Sequence, residues 1–376
     1  MMKFKEILKA KNNIRKIALF IGLAIISSIS IYFISTNENM YGKPIAKVLS
    51  IEEESNQKNT ENEKIEPIKK QKMKAIIMNG EHKGEQVEIN NETSFSQIND
   101  LDLKVDDEVF INIYEKNGHI ESTRISEFKR DKYIVYIVNI FIFLILFIGG
   151  IKGFRSLGSV VINIAILFIL INLFSNGYDF TILSVIASIL FIVISILIVS
   201  GKNKKSLSAI IGTISGTIIS MIIAGIVIKS NNWSGIHFED MEFLTHPPEK
   251  IFFIELIIGT LGGIMDIAIS ISSAVKELYD TNPNIERKKL IASVKEIGQD
   301  IMGTMANTLV FAYISGSIPM ILLLLRNGNP ISYIININLS LEFMRAITGS
   351  IGIVLSIPIT IYVSILIFKN NKMEEV

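Results

Sequence analysis

The chain has 376 residues, 49% of them hydrophobic, and a formal net charge of +1. Its mean hydropathy of +0.44 is too high for a soluble globular protein and fits a polytopic membrane protein, and its near-neutral charge points to no nucleic-acid partner. Cysteine is absent, which excludes disulfides, thiol catalysis and thiolate metal centres.

In chain order, eight apolar segments are long enough to cross a bilayer, near 17–34, 133–150, 157–174, 180–200, 207–228, 251–275, 301–325 and 346–368. Basic residues set their orientation. Lys3, Lys5, Lys9, Lys11, Arg15 and Lys16 precede the first span. Lys152 and Arg155, then Lys202, Lys204 and Lys205, then Lys276, Arg287, Lys288, Lys289 and Lys295, fall in the loops expected on the same side. The opposite loops are poor in Lys and Arg, so both termini are expected in the cytoplasm of a plasma-membrane protein. Residues 1–34 read as a cytoplasmic tail and a signal anchor. A cleaved signal peptide is the alternative, but no clear small-x-small site follows the first span.

Residues 35–132 are the one large polar region, expected outside the cell. Within them, 52–72 is rich in Glu, Lys and Asn and reads by composition as a disordered linker. Around it lie strand candidates: Lys43–Ile51, Met73–Met78, Glu85–Ile89, the alternating run at Val109, Ile111 and Ile113, and a return from His119 after the Asn117-Gly118 turn signal. About five short strands predict a small OB- or SH3-like β-barrel inserted between the first two spans. His82 and His119 show no metal-ligand spacing, and no cofactor site is expected.

The remaining chain, 133–376, reads as a seven-span membrane core. Ser208, Gly212, Gly216, Ser220 and Ala224 recur every fourth residue, a small-residue stripe that lets another helix approach closely. Gly259 and Gly263 repeat the device. At 100° per residue, Glu255, Gly259, Gly262, Asp266, Ser270, Ser273 and Glu277 share one face of the sixth span. A carboxylate at the depth of Asp266 costs roughly 2.5–3.5 kcal/mol on insertion scales and needs a partner. The next span offers Asp300, Thr304, Asn307, Thr308, Ala312, Ser315 and Pro319 on one broad face, and the last adds Thr348, Ser350, Ser356, Pro358, Thr360 and Ser364. These stripes are expected to face one another, with Asp266 and Asn307 as the deep pair. Asp266 then either binds a cation or carries a proton, or is a neutral structural group bonded to Asn307 or Thr304. Residues 284–300 form a basic amphipathic helix, with Leu290, Ile291, Val294, Ile297 and Ile301 on its apolar face, expected along the cytoplasmic leaflet against anionic headgroups. The glycine stripes also fit a homo-oligomer.

The run Gly262 to Ser273, Gly-Gly-Ile-Met-Asp-Ile-Ala-Ile-Ser-Ile-Ser-Ser, followed by Val275-Lys276-Glu277-Leu278, resembles the signature of the YibE/F family of bacterial membrane proteins. Gly80-Glu81-His82-Lys83-Gly84 and Leu103-Lys104-Val105-Asp106-Asp107-Glu108-Val109 are similar to that family's extracytoplasmic segment, with Asp106 where its pattern tends to have glycine. The resemblance implies the architecture, and only loosely a permease-like role.

The expected fold is therefore a membrane all-α, eight-span bundle with an extracytoplasmic β-rich insert. Its expected activity is permease-like movement of an ion or small solute. The alternative is a sensor, assembly or accessory protein whose β domain binds a partner. Catalysis is not expected: Asp266 has no second deep carboxylate, and Ser270, Ser272 and Ser273 have no base at their depth.

Overall fold

The computed structural model describes residues 22–59, 66–93, 101–116, 119–230 and 247–369. His237, His246, Trp233 and the Asn117-Gly118 turn lie outside them. The chain divides into two units, Met1–Ile148 and Gly149–Val376.

The first unit begins with helix α1 (Gly22–Ile34) and a 3₁₀ turn at Glu38–Met40. Five antiparallel strands follow: β1 (Ile45–Asn59), β2 (Glu66–Ile77), β3 (Gln86–Thr93), β4 (Glu108–Lys116) and β5 (His119–Phe128). Their order in the sheet is β3-β2-β1-β4-β5. Alternation puts Val48, Met73, Ala75, Ile77, Val87, Ile89, Val109 and Ile111 into one core with Leu103. Asn79 fixes the chain's entry to the sheet. Its Oδ1 accepts from Ile45 N at 2.7 Å, and its Nδ2 donates to the Glu38, Tyr41 and Lys43 carbonyls.

The expected OB- or SH3-like barrel is not closed. β1 pairs with β4 over Ile45–Lys47 only, then bulges at Val48–Ser50 and continues with β2 as a ribbon. The edge strands β3 and β5 approach each other, and Thr123 Oγ1 donates to Glu88 O at 2.9 Å, but no ladder joins them.

The expected disordered linker also reads differently. Residues 52–59 and 66–72 belong to β1 and β2, in a register that sets Glu53 opposite Lys72 and Ser55 opposite Lys70. Composition alone counts these stretches as solvated charge. Lys74 Nζ lies 2.5 Å from Glu52, Lys72 Nζ 3.1 Å from Glu88 and Lys70 Nζ 3.0 Å from Glu92.

Where the sheet meets the next helix, the Lys129 side chain is 1% exposed, 2.6 Å from Glu108 Oε2 and 3.5 Å from Asp131 Oδ2. Lys129 Nζ also donates to Ile34 O at 3.4 Å. Tyr41 Oη donates to Asp131 Oδ2 at 2.7 Å, and Asn139 Nδ2 to Ser30 Oγ at 3.0 Å. These bonds tie α1, β4 and the start of α2 (Asp131–Ser175) into one body.

Among the described residues, six helices are long and apolar enough to cross a membrane: α2, α3 (Phe180–Ser200), α4 (Lys204–Ser230), α5 (Pro248–Thr281), α6 (Arg287–Arg326) and α8 (Ser340–Lys369). The sequence predicts eight spans. Two of them, 133–150 and 157–174, fall in the single 45-residue run of α2, which is broken at Gly150. There φ is 52° and ψ −128°, a conformation that glycine alone adopts without strain. No proline interrupts 151–157, so helical bonding continues past Lys152 and Arg155. The first expected span is described only over α1. Between α6 and α8 sit the short α7 (Ile331–Tyr333) and a π turn, Ile334–Asn338.

In the second unit α8 packs on α4, α5 and α6. The α4–α8 seam is built from small residues on both sides. A Cβ on Gly212 would strike Thr360 Oγ1, and one on Gly216 would lie 3.0 Å from Ser356 Cβ. Ser220 Oγ donates to Thr348 O at 2.6 Å, and its Cβ would lie 3.2 Å from a Cβ on Gly352. Ile264, Ile267, Ile271 and Val275 of α5, Leu290 and Val294 of α6, and Ile353, Ile357, Ile361 and Ile365 of α8 form the main apolar cluster. The segment expected as a separate amphipathic helix at 284–300 is thus mostly the opening turns of α6. Leu290 and Val294 point into the bundle because α6 continues unbroken to Arg326.

Candidate functional site

α5 is amphipathic in an inverted sense. Phe252, Leu256, Ile264, Ile267, Ile271 and Val275 are buried against the neighbouring helices. On the other side, Gly259, Gly262, Asp266 and Glu277 are exposed, and Glu255, Ser270 and Ser273 are half-buried. Glu255, Asp266 and Glu277 are each eleven residues apart. Eleven residues turn through 1100°, about 20° beyond three full turns, so three carboxylates stand in a column about 16 Å apart.

α6 flanks this column. Tyr313 Oη is seated over Gly259, where any Cβ would collide with it, and Leu309 Cδ1 would lie 3.6 Å from a Cβ on Gly263. Gly259, Gly263, Gly212 and Gly216 each sit where a neighbouring helix comes close. Gly262 does not: among the described residues nothing lies within 4 Å of its Cβ position.

The expected stripe-to-stripe packing of the last three spans is corrected. The hydroxyl face of α8 (Thr348, Ser356, Thr360, Ser364) is buried; Ser356 and Thr360 are turned to α4, and the Thr348 carbonyl accepts from Ser220 of the same helix. The polar face of α6 looks outward, with Thr304, Asn307, Thr308 and Ser315 exposed. Asp266 and Asn307 are not hydrogen-bonded to each other, and among the described residues the Asp266 carboxyl has no hydrogen-bond donor. The nearby hydroxyls are satisfied within their own helices: Thr304 Oγ1 donates to Ile301 O, Thr308 Oγ1 to Thr304 O and Ser273 Oγ to Ile269 O. Intrahelical bonds of this kind leave no hydroxyl shell drawn up around Asp266.

The most organised polar cluster lies at the Glu255 end of the column. Arg345 Nη2 of α8 is 3.5 Å from Glu255 Oε2 and 3.4 Å from Glu342 Oε1. The Arg345 and Glu342 side chains are each 17% exposed, which makes this a covered group. Tyr313 Oη, Arg345 Nε and Glu255 Oε2 are buried without a hydrogen-bond partner among the described residues. Two carboxylates on one guanidinium leave a formal charge of −1. Reading the sequence misses Glu342, Arg345 and Tyr313 as site residues. The last apolar window opens at 346, whereas the helix opens at Ser340 and carries the Glu342-x-x-Arg345 pair with it. That i, i+3 spacing of opposite charges is the signal that points to them. Among the described residues no three His, Asp or Glu side chains converge as a metal site.

Two family models match the chain. YibE/F-like protein covers residues 137–370, and YibE/F family N-terminal domain covers 39–128. Comparisons with curated proteins and with solved structures find no match. The apolar helices, the antiparallel sheet ahead of them and the Asp266 motif inside the larger match together place this chain in the YibE/F family.

Proposed function

We propose that the chain is a permease of the plasma membrane that moves a cation, or a small solute with a coupling cation, along the polar face of α5. The reading takes both halves of α2 and the full first segment as spans. It counts eight crossings, with the termini in the cytoplasm and the β unit outside, as the basic residues favour. It assigns no covalent chemistry to the chain.

One observation carries the reading. Asp266 stands on an uncovered face, with Glu255 and Glu277 above and below it and no hydrogen-bond donor among the described residues. A carboxylate at that depth is not left against acyl chains, so water, a cation or protein must occupy the face. A second copy of the chain, presenting its own α5 or α6 polar face, is the cover this reading favours. The Glu255–Arg345–Glu342 cluster then closes one end of the path.

The test is cation or proton flux in proteoliposomes holding the purified chain. Asp266→Asn removes the charge and keeps the shape, and flux is expected to fall at least tenfold. Equal flux from both proteins would remove Asp266 from the mechanism. Deleting residues 43–130 separates this reading from a sensor: a transport core keeps its flux without the β unit, and a sensor loses its response.

A further inference from the structure

The end of the bundle where α6 begins and α8 finishes holds a groove that the transport reading does not use. It has a volume of 520 Å³ and lies between Ile291 and Met302 on α6 and Val354, Ile357 and Ile361 on α8. Its lip is polar, formed by Lys295, Gln299 and Tyr362, and the guanidinium of Arg287 lies 6.0 Å from the Tyr362 ring centre. At 100° per residue, Arg287, Lys288 and Lys295 all fall within about 60° of Ile291, on the groove side of α6. The acidic residues of the same stretch, Glu286, Glu296 and Asp300, fall about 140–180° away. α8 brings no charge at all between Ile353 and Phe368. Arg287, Lys288 and Lys295 are exposed, and none has an ion-pair partner among the described residues.

We infer that this groove binds one anionic phospholipid, with an acyl chain along the α6–α8 cleft and the phosphate held by Arg287, Lys288 and Lys295. The apolar wall alone would accept any lipid tail. The segregation of three unpaired cations to its mouth, with the carboxylates turned away, selects an anionic headgroup. The occupant is a membrane lipid and not a free phosphate, because the cationic mouth opens directly onto an apolar cleft. The inference does not depend on transport.

The test uses the full chain in neutral detergent. Phosphatidylglycerol and phosphatidylcholine with identical tails are added separately, and inorganic phosphate forms a third arm. Thermal shift and native mass spectrometry give the response. Phosphatidylglycerol is expected to raise the melting temperature and to remain bound at one copy, whereas phosphatidylcholine and phosphate do neither. The double variant Lys288→Ala/Lys295→Ala is expected to weaken phosphatidylglycerol binding roughly thirty-fold, about fivefold per basic residue. Val354→Trp fills the cleft with the charges intact and is expected to abolish retention. An unchanged melting temperature without lipid shows that either variant is folded, and a misfolded Val354→Trp leaves the lysine variant to decide. Equal stabilisation by both lipids, a phosphate effect as large as the lipid effect, or full binding by the lysine variant would each overturn the inference.

Discussion

Replacing Lys129 with Met tests the junction between the sheet and α2. Lys129 is 1% exposed and Glu108 14% exposed, with 2.6 Å between their charged atoms. Removing one member of a buried ion pair costs about 3–5 kcal/mol, because the other charge is left uncompensated. Glu108 retains some solvent and Asp131 is the more distant partner, so the lower figure applies, about 3 kcal/mol. Lys129→Met keeps the length and apolar stem of the side chain, so little of the loss comes from packing. In the full chain at pH 7, that loss accelerates hydrogen exchange at the protected amides of Ala46, Val48 and Ile111 about 150-fold. Amides of α5 and α8 in the other unit serve as the internal control. The double variant Lys129→Met/Glu108→Leu should recover most of the stability, since an apolar pair of similar volume replaces the ions. Acceleration below threefold in the single variant, or a double variant as unstable as the single, would refute the account. The pH dependence adds a second check. Burial alone would lower the Lys129 pKa, but the hydrogen bond and charge of Glu108, with the charge of Asp131, outweigh it and hold it above the usual lysine value. The contribution is therefore complete below about pH 10.4 and fades only as pH rises through the higher folded value.

His82 gives a prediction nearer neutrality. Its ring nitrogens lie 3.0 Å from Glu85 and 2.9 Å from Glu115, and these two carboxylates raise its pKa. The stability it adds is present below about pH 6.5 and lost as pH rises through the folded value, so the protection factors of the turn at Gly80–Gly84, with the intrinsic pH dependence of amide exchange divided out, should be lower at pH 8 than at pH 6. His82→Gln should flatten that dependence in the same measurement. In the bundle, Gly352→Val should cost about 1–3 kcal/mol of thermal stability, since its Cβ would lie 2.5 Å from Ile264 Cδ1 and 3.2 Å from Ser220 Cβ. Gly262→Ala, with no neighbour within 4 Å, should instead gain up to about 1 kcal/mol from helix propensity; a loss would show that another surface covers this face in solution. Ser220→Ala removes the bond to the Thr348 carbonyl and should cost about 0.6 kcal/mol, read as a melting shift.

Much of this architecture is legible in the sequence because hydrophobic run length and period-two alternation are local signals. The five strands lie where alternating residues and turn chemistry put them, and the close-packing glycines of α4 and α5 follow from their four-residue spacing. What is not legible depends on partners distant in sequence. The charged stretch of β1 and β2 looks like solvated linker until the register sets Glu53 against Lys72. The partner of the Ser208–Ala224 stripe is α8, and nothing local in either segment names the other. Depth alone pairs Asp266 with Asn307, and depth gives position along an axis but not rotation about it. The Arg345 cluster escapes for a further reason: hydropathy windows place a charged pair at a boundary, and the boundary is six residues later than the helix start.

The α4–α8 seam carries one more consequence. Ser208, Gly212, Gly216, Ser220 and Ala224 recur every four residues, and so do Thr348, Gly352, Ser356, Thr360 and Ser364 on the antiparallel partner. Two combs with matching teeth mesh in more than one position. Displacing one helix by four residues, about 6 Å, sets small groups against small groups again, with the Ser220 hydroxyl offered a new carbonyl in place of the Thr348 one. The teeth themselves are small, so the side chain that pins the register is Ile264 of α5: its Cδ1 would lie 2.5 Å from a Cβ on Gly352 and its Cγ2 3.2 Å from one on Gly216.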